Sequence, residues 1–207
     1  MTRAATVVYL FRHGEVVLAE TRRFIGHLDV PLSARGEAQC VAQAKHLRDV
    51  PIDALYSSDL ARARRSGELL GAPRGLTPVV VPALREMAMG RWEGLTAEEI
   101  RTREPEAFAT WMASVGEFPF PDGESVPDLV TRAWPAFEAL VRGHAGQGIA
   151  VVAHGGTNRA MLCRALGVPL DRLLAFGQGY GAMSVLEHAD GRWSLSRLNE
   201  EPALGGP

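Results

Sequence analysis

The 207-residue sequence predicts an α/β sandwich with a mostly parallel sheet, built as one domain over 1–207. Three observations lead there. Apolar runs of strand length alternate with helical patterns over almost the whole chain. Two of those runs end in a His-Gly step, at the strand end where open α/β sheets present their ligands. Hydrophobic residues make up 46% of the chain, enough for one well-filled core, and no repeat, low-complexity tract or linker divides it.

The first run, Thr6–Phe11, is rich in β-formers and reads as a buried strand. Ser33 then caps a helix through Arg48, with Cys40, Val41, Ala44 and Leu47 on one face and Pro51 ending it. Residues 52–58 form a second strand, followed by a helix over Asp59–Leu70 striped by Leu60, Ala63, Gly67 and Leu70. PVVVP at 78–82 is a third strand clipped by prolines. Residues 96–115 read as two short helices broken near Pro105, and 117–125 as a Pro/Gly loop. Ser125 and Asp128 have capping-box spacing. The long helix they open carries a clean apolar stripe from Val126 to Val141, and Pro135 inside that stripe predicts a kink or a restart. GIAVVAHGG at 148–156 is a buried strand ending in a glycine turn, and Thr157–Leu166 is a helix apolar nearly all round. Residues 182–188 and 192–198 form a hairpin turning at Asp190–Gly191. The tail at 200–207 is expected to fray.

The net charge of −2 lacks the basic surplus of a nucleic-acid binder, so any anion site must be local. No apolar stretch approaches the ~20 residues of a membrane span. Residues 1–11 lack the long apolar core and cleavage site of a leader peptide. Cys40 and Cys163 both fall in helical patterns, so free buried thiols in a cytoplasmic protein are expected.

The His-Gly steps are His13–Gly14, in FRHG, and His154–Gly155, in VAHGG. Glycine after each histidine permits a tight turn and close approach of a ligand to the backbone. A helix beginning just after Gly156 aims free amides at the same place, which suits an anion. Arg12 adds a fixed fork of donors, and Arg62 can add another. Alone, each piece has a plainer reading: a hydrogen-bonded structural histidine, or a solvated helix face at Arg62, Arg64 and Arg65. The matched pattern at two strand ends favours a phosphate pocket containing a histidine. His27, His46, His144 and His188 read as surface or structural.

At this point the sequence resembles the histidine phosphatases, the phosphoglycerate-mutase-like superfamily. RHGE at 12–15 is similar to the family signature, and GHLDVPLSARGEAQ at 26–39 to the stretch that follows it. YSSDLARARRS at 56–66 resembles the segment supplying a second phosphate-binding arginine, which falls on Arg62. LREMAMGRWEGLTAEEI at 84–100 resembles the segment carrying an acid/base carboxylate, which falls on Glu86. PDGES at 121–125 and VVAHGG at 151–156 complete the match, in order, over residues 6 to 198. The resemblance implies a three-layer α/β/α sandwich with His13 as nucleophile and Arg12, Arg62 and His154 around the phosphoryl group. Glu86 would be the proton donor. Phosphate and substrate contacts are expected from Arg12, Gly14, Arg62, His154 and Gly155, with Arg23 and Gly26 beside them. No metal or organic cofactor is expected. The partners implied are phosphate and a small phosphorylated metabolite, with no nucleic acid or membrane, for a monomer or homodimer. Without the resemblance, Glu86 reads rather as a surface or salt-bridge carboxylate beside Arg85.

The sequence departs from the family pattern at Val16, where Thr is common, at Ala19, where Asn is common, and at Ser66, where Thr is usual. The first two substitutions remove polar contacts, each worth about 1.5–3 kcal/mol when made to a charged group. Phosphate binding is therefore expected to be weaker than in a relative with the full motif unless Thr21, Arg22 or Arg23 reaches the pocket. The long mid-chain insertion of the mutases is missing, so a phosphomonoesterase is favoured over a phosphoglycerate mutase. A binding module that has lost turnover is a further alternative. MGRWEG and the C-terminal strands are loosely similar to α-ribazole phosphatases. Residues 101–123, with Arg101, Arg103, Trp111, Phe118 and Phe120, are expected to overhang the site.

Overall fold

The computed structural model describes residues 5–204. A six-stranded sheet runs in the order β3-β2-β4-β1-β5-β6. Its strands are β1 (Thr6–Arg12), β2 (Ala54–Ser57), β3 (Val79–Val80), β4 (Gly148–Ala153), β5 (Met183–Ala189) and β6 (Arg192–Glu200). β1, β2, β3 and β4 pair in parallel, while β5 joins β1 antiparallel and turns back into β6. The helices are α1 (Ala34–His46), α2 (Ala61–Gly71), α3 (Ala97–Arg103), α4 (Pro105–Ala113), α5 (Val126–Gly143) and α6 (Gly155–Leu166).

Strand alternation divides the core. Phe11, Ala150 and Val152 face Ala44 of α1, Leu47 just past its end, and Ala63 and Leu70 of α2. Val8, Leu10, Ile149 and Val151 face Leu129, Ala133 and Phe137 of α5 and Met161 of α6. β4 is buried along its whole length, as a central parallel strand covered on both faces must be.

Several boundaries differ from the sequence reading. β3 is reduced to two exposed valines at the sheet edge, because the flanking prolines cannot donate to a ladder. Val41 of α1 is exposed, and the buried positions include Gln39 and Gln43. Both glutamines have partners: Gln39 Oε1 accepts from the Glu15 amide, and Gln43 donates to the Gly181 and Glu200 carbonyls. Pro135 neither breaks nor restarts α5. It lies on the exposed face, where Thr131, whose carbonyl loses its partner, also faces solvent. α6 begins two residues earlier than expected, with Gly155 as its first residue and His154 as N-cap. Glu200 is the last residue of β6 rather than part of a frayed tail, and the end of that tail, 205–207, lies outside the described residues.

The expected overhang at 101–123 is also corrected. Trp111, Phe118 and Phe120 pack with Phe24 around the fully buried Trp92, with ring centroids 5.2–6.0 Å from that indole. Aromatic area of this size is worth more in a core than above a solvated cleft. Arg101 pairs with Glu98 on the surface, and none of Arg101, Arg103, Trp111, Phe118 and Phe120 lines the cleft.

The turn after β1 lies against the start of α1 with no room to spare. A Cβ on Gly14 would overlap the Gly36 carbonyl, and one on Gly36 would overlap the Glu15 carbonyl. Gly36→Ala is expected to destabilise the protein by about 1–3 kcal/mol, as overpacking does. It should also lower the phosphatase activity that the resemblance implies, by displacing residues 13–15. Urea denaturation and turnover on the same sample check both effects.

Candidate active site

β1 ends at Arg12 and hands the chain to a pinned turn. The His13 amide donates to the Ala153 carbonyl at 3.1 Å, and the His13 carbonyl accepts from Gly181 at 3.0 Å. The Gly14 amide donates to Ser66 Oγ at 3.0 Å, and that hydroxyl donates to the Arg62 carbonyl at 2.7 Å. Ser66 thus ties the first turn to α2. The Gly14 amide is engaged there and is not free for an anion.

His13 is 5% exposed. Its Nδ1 lies 2.7 Å from the Gly14 carbonyl. A carbonyl only accepts, so Nδ1 carries the proton and Nε2 keeps its lone pair. Burial pushes this imidazole well below the ordinary histidine range, and the cations of Arg12 and Arg62 push it further. His154 is fully buried, with its ring centroid 5.2 Å from that of His13. Burial, then Arg62 and His13, push it the same way. Neither of its ring nitrogens has a hydrogen-bond partner among the described residues. Buried polar atoms are usually hydrogen-bonded, so His154 keeps bonding capacity for a group seated beside His13.

The two arginines are oriented by neutral groups. Arg12 donates to the Gln178 carbonyl and lies 3.8 Å over the Tyr180 ring, with its buried Nε unpartnered. Arg62 is 1% exposed and donates to the carbonyls of Leu28 at 2.6 Å and Gly26 at 2.7 Å. Burial lowers both guanidinium pKa values, but arginine stays charged near neutrality.

Glu86 caps the start of α6. Its oxygens accept from the amides of Gly156 at 2.9 Å and Thr157 at 3.0 Å, and Met87 donates at 2.9 Å. It is not paired with Arg85, which instead holds Asp59 through both carboxylate oxygens.

These groups converge on a cavity of about 240 Å³ lined by His13, Arg12, Arg62, Glu86 and Tyr180, with Arg22 at its side. Arg23 and Gly26 line it as well, although Arg23 is tied to Gly94 O and Glu99. His154 and Gly155 do not line the cavity; His154 packs against His13 instead. Val16 lines the wall apolar and buried. Ala19 lies in a short 3₁₀ turn away from the cavity, and Thr21 turns to the Leu18 carbonyl. Tyr180 and Gln178 were missed in the sequence. The available signal was GQGYG, an aromatic residue in an alternating glycine run before β5.

The neutral imidazoles have a consequence for stability. Below about pH 6.5 an unfolded histidine binds a proton that buried His13 and His154 refuse. The unfolded chain then holds more protons, so stability is complete above that pH and falls as pH drops toward the depressed folded values. The slope is about 1.4 kcal/mol per pH unit for each histidine. His154→Gln should remove one such contribution, seen as a shallower slope in urea denaturation between about pH 5 and 7. Parallel slopes in the two proteins would contradict a neutral buried His154.

Comparison with known proteins gives the family of the chain. Phosphoserine phosphatase 1 of Hydrogenobacter thermophilus is 31% identical over 196 residues, 95% of this chain and 93% of that protein. The α-ribazole phosphatase structure from Shigella flexneri has a TM-score of 0.87 at 27% identity, covering 97% of this chain and 99% of that one. The native structure of mycobacterial glucosyl-3-phosphoglycerate phosphatase has a TM-score of 0.86 at 31% identity, covering 95% and 99%. The sequence profile of the histidine phosphatase superfamily (branch 1) matches residues 8–201, and the chain belongs to that family.

Proposed function

We propose that the protein hydrolyses a phosphomonoester of a small metabolite through a phosphohistidine at His13. The observation that carries this reading is the Nδ1–H of His13 held on the Gly14 carbonyl, which leaves Nε2 as a neutral nucleophile in a cavity flanked by Arg12 and Arg62. In the first step Nε2 attacks phosphorus. The P–O ester bond breaks with its electron pair going to the leaving oxygen, which takes a proton from Glu86. In the second step Glu86 takes a proton from water as the water attacks phosphorus, and the P–N pair returns to Nε2. Charge spreads over the equatorial oxygens in both steps. Arg12 and Arg62 are the cavity-lining donors to them, with the unpartnered ring of His154 packed behind His13.

The leading substrate is α-ribazole 5′-phosphate. Phe24, Ile25 and Met89 supply an apolar wall beside the phosphate seat, which suits a neutral ring. One observation favours a second substrate, phosphoserine. Arg22 lines the cavity without an ion-pair partner among the described residues, and a substrate carboxylate would satisfy it.

His13→Ala should abolish phosphate release from a panel containing both compounds and 3-phosphoglycerate. Equal release by mutant and wild type would overturn the proposal, and conversion of 3-phosphoglycerate to its isomer without phosphate release would make the enzyme a mutase. Arg22→Ala should raise KM for phosphoserine about 5- to 10-fold, as loss of a partly solvated charge contact does, while leaving α-ribazole 5′-phosphate unchanged.

A further inference from the structure

The segment that carries Glu86 has no regular secondary structure between the 3₁₀ turns at Pro82–Leu84 and Gly90–Trp92. The carboxyl itself accepts the amides of Gly156, Thr157 and Met87, but the segment has no ladder or helix of its own to fix its backbone. Here its backbone is held from outside by several side chains, Arg132 and Glu124 chief among them. Arg132 of α5 donates to the Ala83 carbonyl at 2.7 Å, to the Arg85 carbonyl at 3.3 Å and to the Glu86 carbonyl at 3.2 Å. The same guanidinium holds Glu124 through both carboxylate oxygens, each at 2.8 Å. Glu124 in turn takes the amide of Ala88 at 2.9 Å and gives its own amide to the Ala88 carbonyl at 2.8 Å.

The clamp therefore grips the backbone on both sides of Glu86. Both members are shielded, with side chains 27% and 20% exposed. The paired guanidinium and the Ala88 amide hold Glu124 below its ordinary pKa despite burial. His27 Nε2 also donates to the Glu86 carbonyl at 2.7 Å. Neither Arg132 nor Glu124 lines the cavity.

We propose that Arg132 and Glu124 are positioning residues that aim the Glu86 carboxyl at the leaving oxygen of the substrate. The inference rests on the reading of Glu86 as proton donor. A fork donating to three carbonyls and a bidentate carboxylate cannot be reproduced by an ammonium, so charge alone is not sufficient.

The test uses leaving groups of different basicity. An alkoxide needs a proton as it departs, whereas p-nitrophenolate departs without one. Glu124→Gln and Arg132→Lys should each lower kcat/KM for an alkyl phosphomonoester about 10- to 100-fold, and for p-nitrophenyl phosphate less than about 3-fold. Inhibition by inorganic phosphate should stay unchanged, since the phosphate seat is intact. If Arg132→Lys fails to fold, the nearly isosteric Glu124→Gln carries the test alone. Equal losses on both substrates, or weakened phosphate inhibition, would make the pair a general structural support and overturn the proposal. So would an absence of any loss. Glu86→Gln is measured in parallel. Leaving-group discrimination in Glu86→Gln without any in Glu124→Gln overturns the clamp alone. No discrimination in Glu86→Gln overturns Glu86 as proton donor, and the clamp with it.

Discussion

The site depends on one strand pairing. β1 and β4 lie parallel with Arg12 opposite Ala153, so the next residue of each strand is a histidine at the same sheet edge. The His13 amide continues that ladder onto the Ala153 carbonyl. A slip of one residue would turn the apolar side chains of β4 to the wrong faces of a sheet covered on both sides, so the register is strongly specified. The same burial that fixes the register keeps both imidazoles neutral. Packing and nucleophile chemistry thus share one cause.

The charges of the cavity follow a second rule. Arg12 and Arg62 are held by backbone carbonyls, whereas surface arginines such as Arg65 and Arg85 are held by carboxylates. A carbonyl dipole orients a guanidinium without cancelling its charge, and a carboxylate cancels it. The cavity therefore keeps cations for an incoming dianion, with Glu86 as the acidic group on its wall. Glu86 meanwhile occupies amides at the start of α6, where the helix dipole favours negative charge.

The aromatic cluster around Trp92 reaches this chemistry indirectly. Phe24 belongs both to the cluster and to the cavity wall, with its ring centroid 5.8 Å from Trp92 and 5.3 Å from Trp111. Substitutions in α4 that leave the cavity untouched still press on that wall, because a close-packed interior transmits displacement.

The chain by itself determined the order of strands and helices, the helix caps at Ser33 and Ser125, and the two His-Gly strand ends. These are local signals, because hydrophobic period, capping spacing and glycine punctuation act within a few residues. They were enough to single out His13, His154, Arg12 and Arg62, whereas Glu86 came only from the resemblance to the family. Tertiary structure decided what depends on distant partners. The proton on His13 Nδ1 follows from the local Gly14 carbonyl, but the burial that keeps the ring neutral comes from β4, α2 and the loop at Tyr180. Arg22 lines the cavity while Ala19 does not, although they are three residues apart, because the intervening 3₁₀ turn ends with Arg22 in a left-handed conformation at φ 48°. Gln39 and Gln43 are buried at positions where periodicity favours apolar residues, because backbone groups far away in sequence need donors and acceptors there. Polar pairing of this kind leaves no period in the sequence, since its partners are set by the fold.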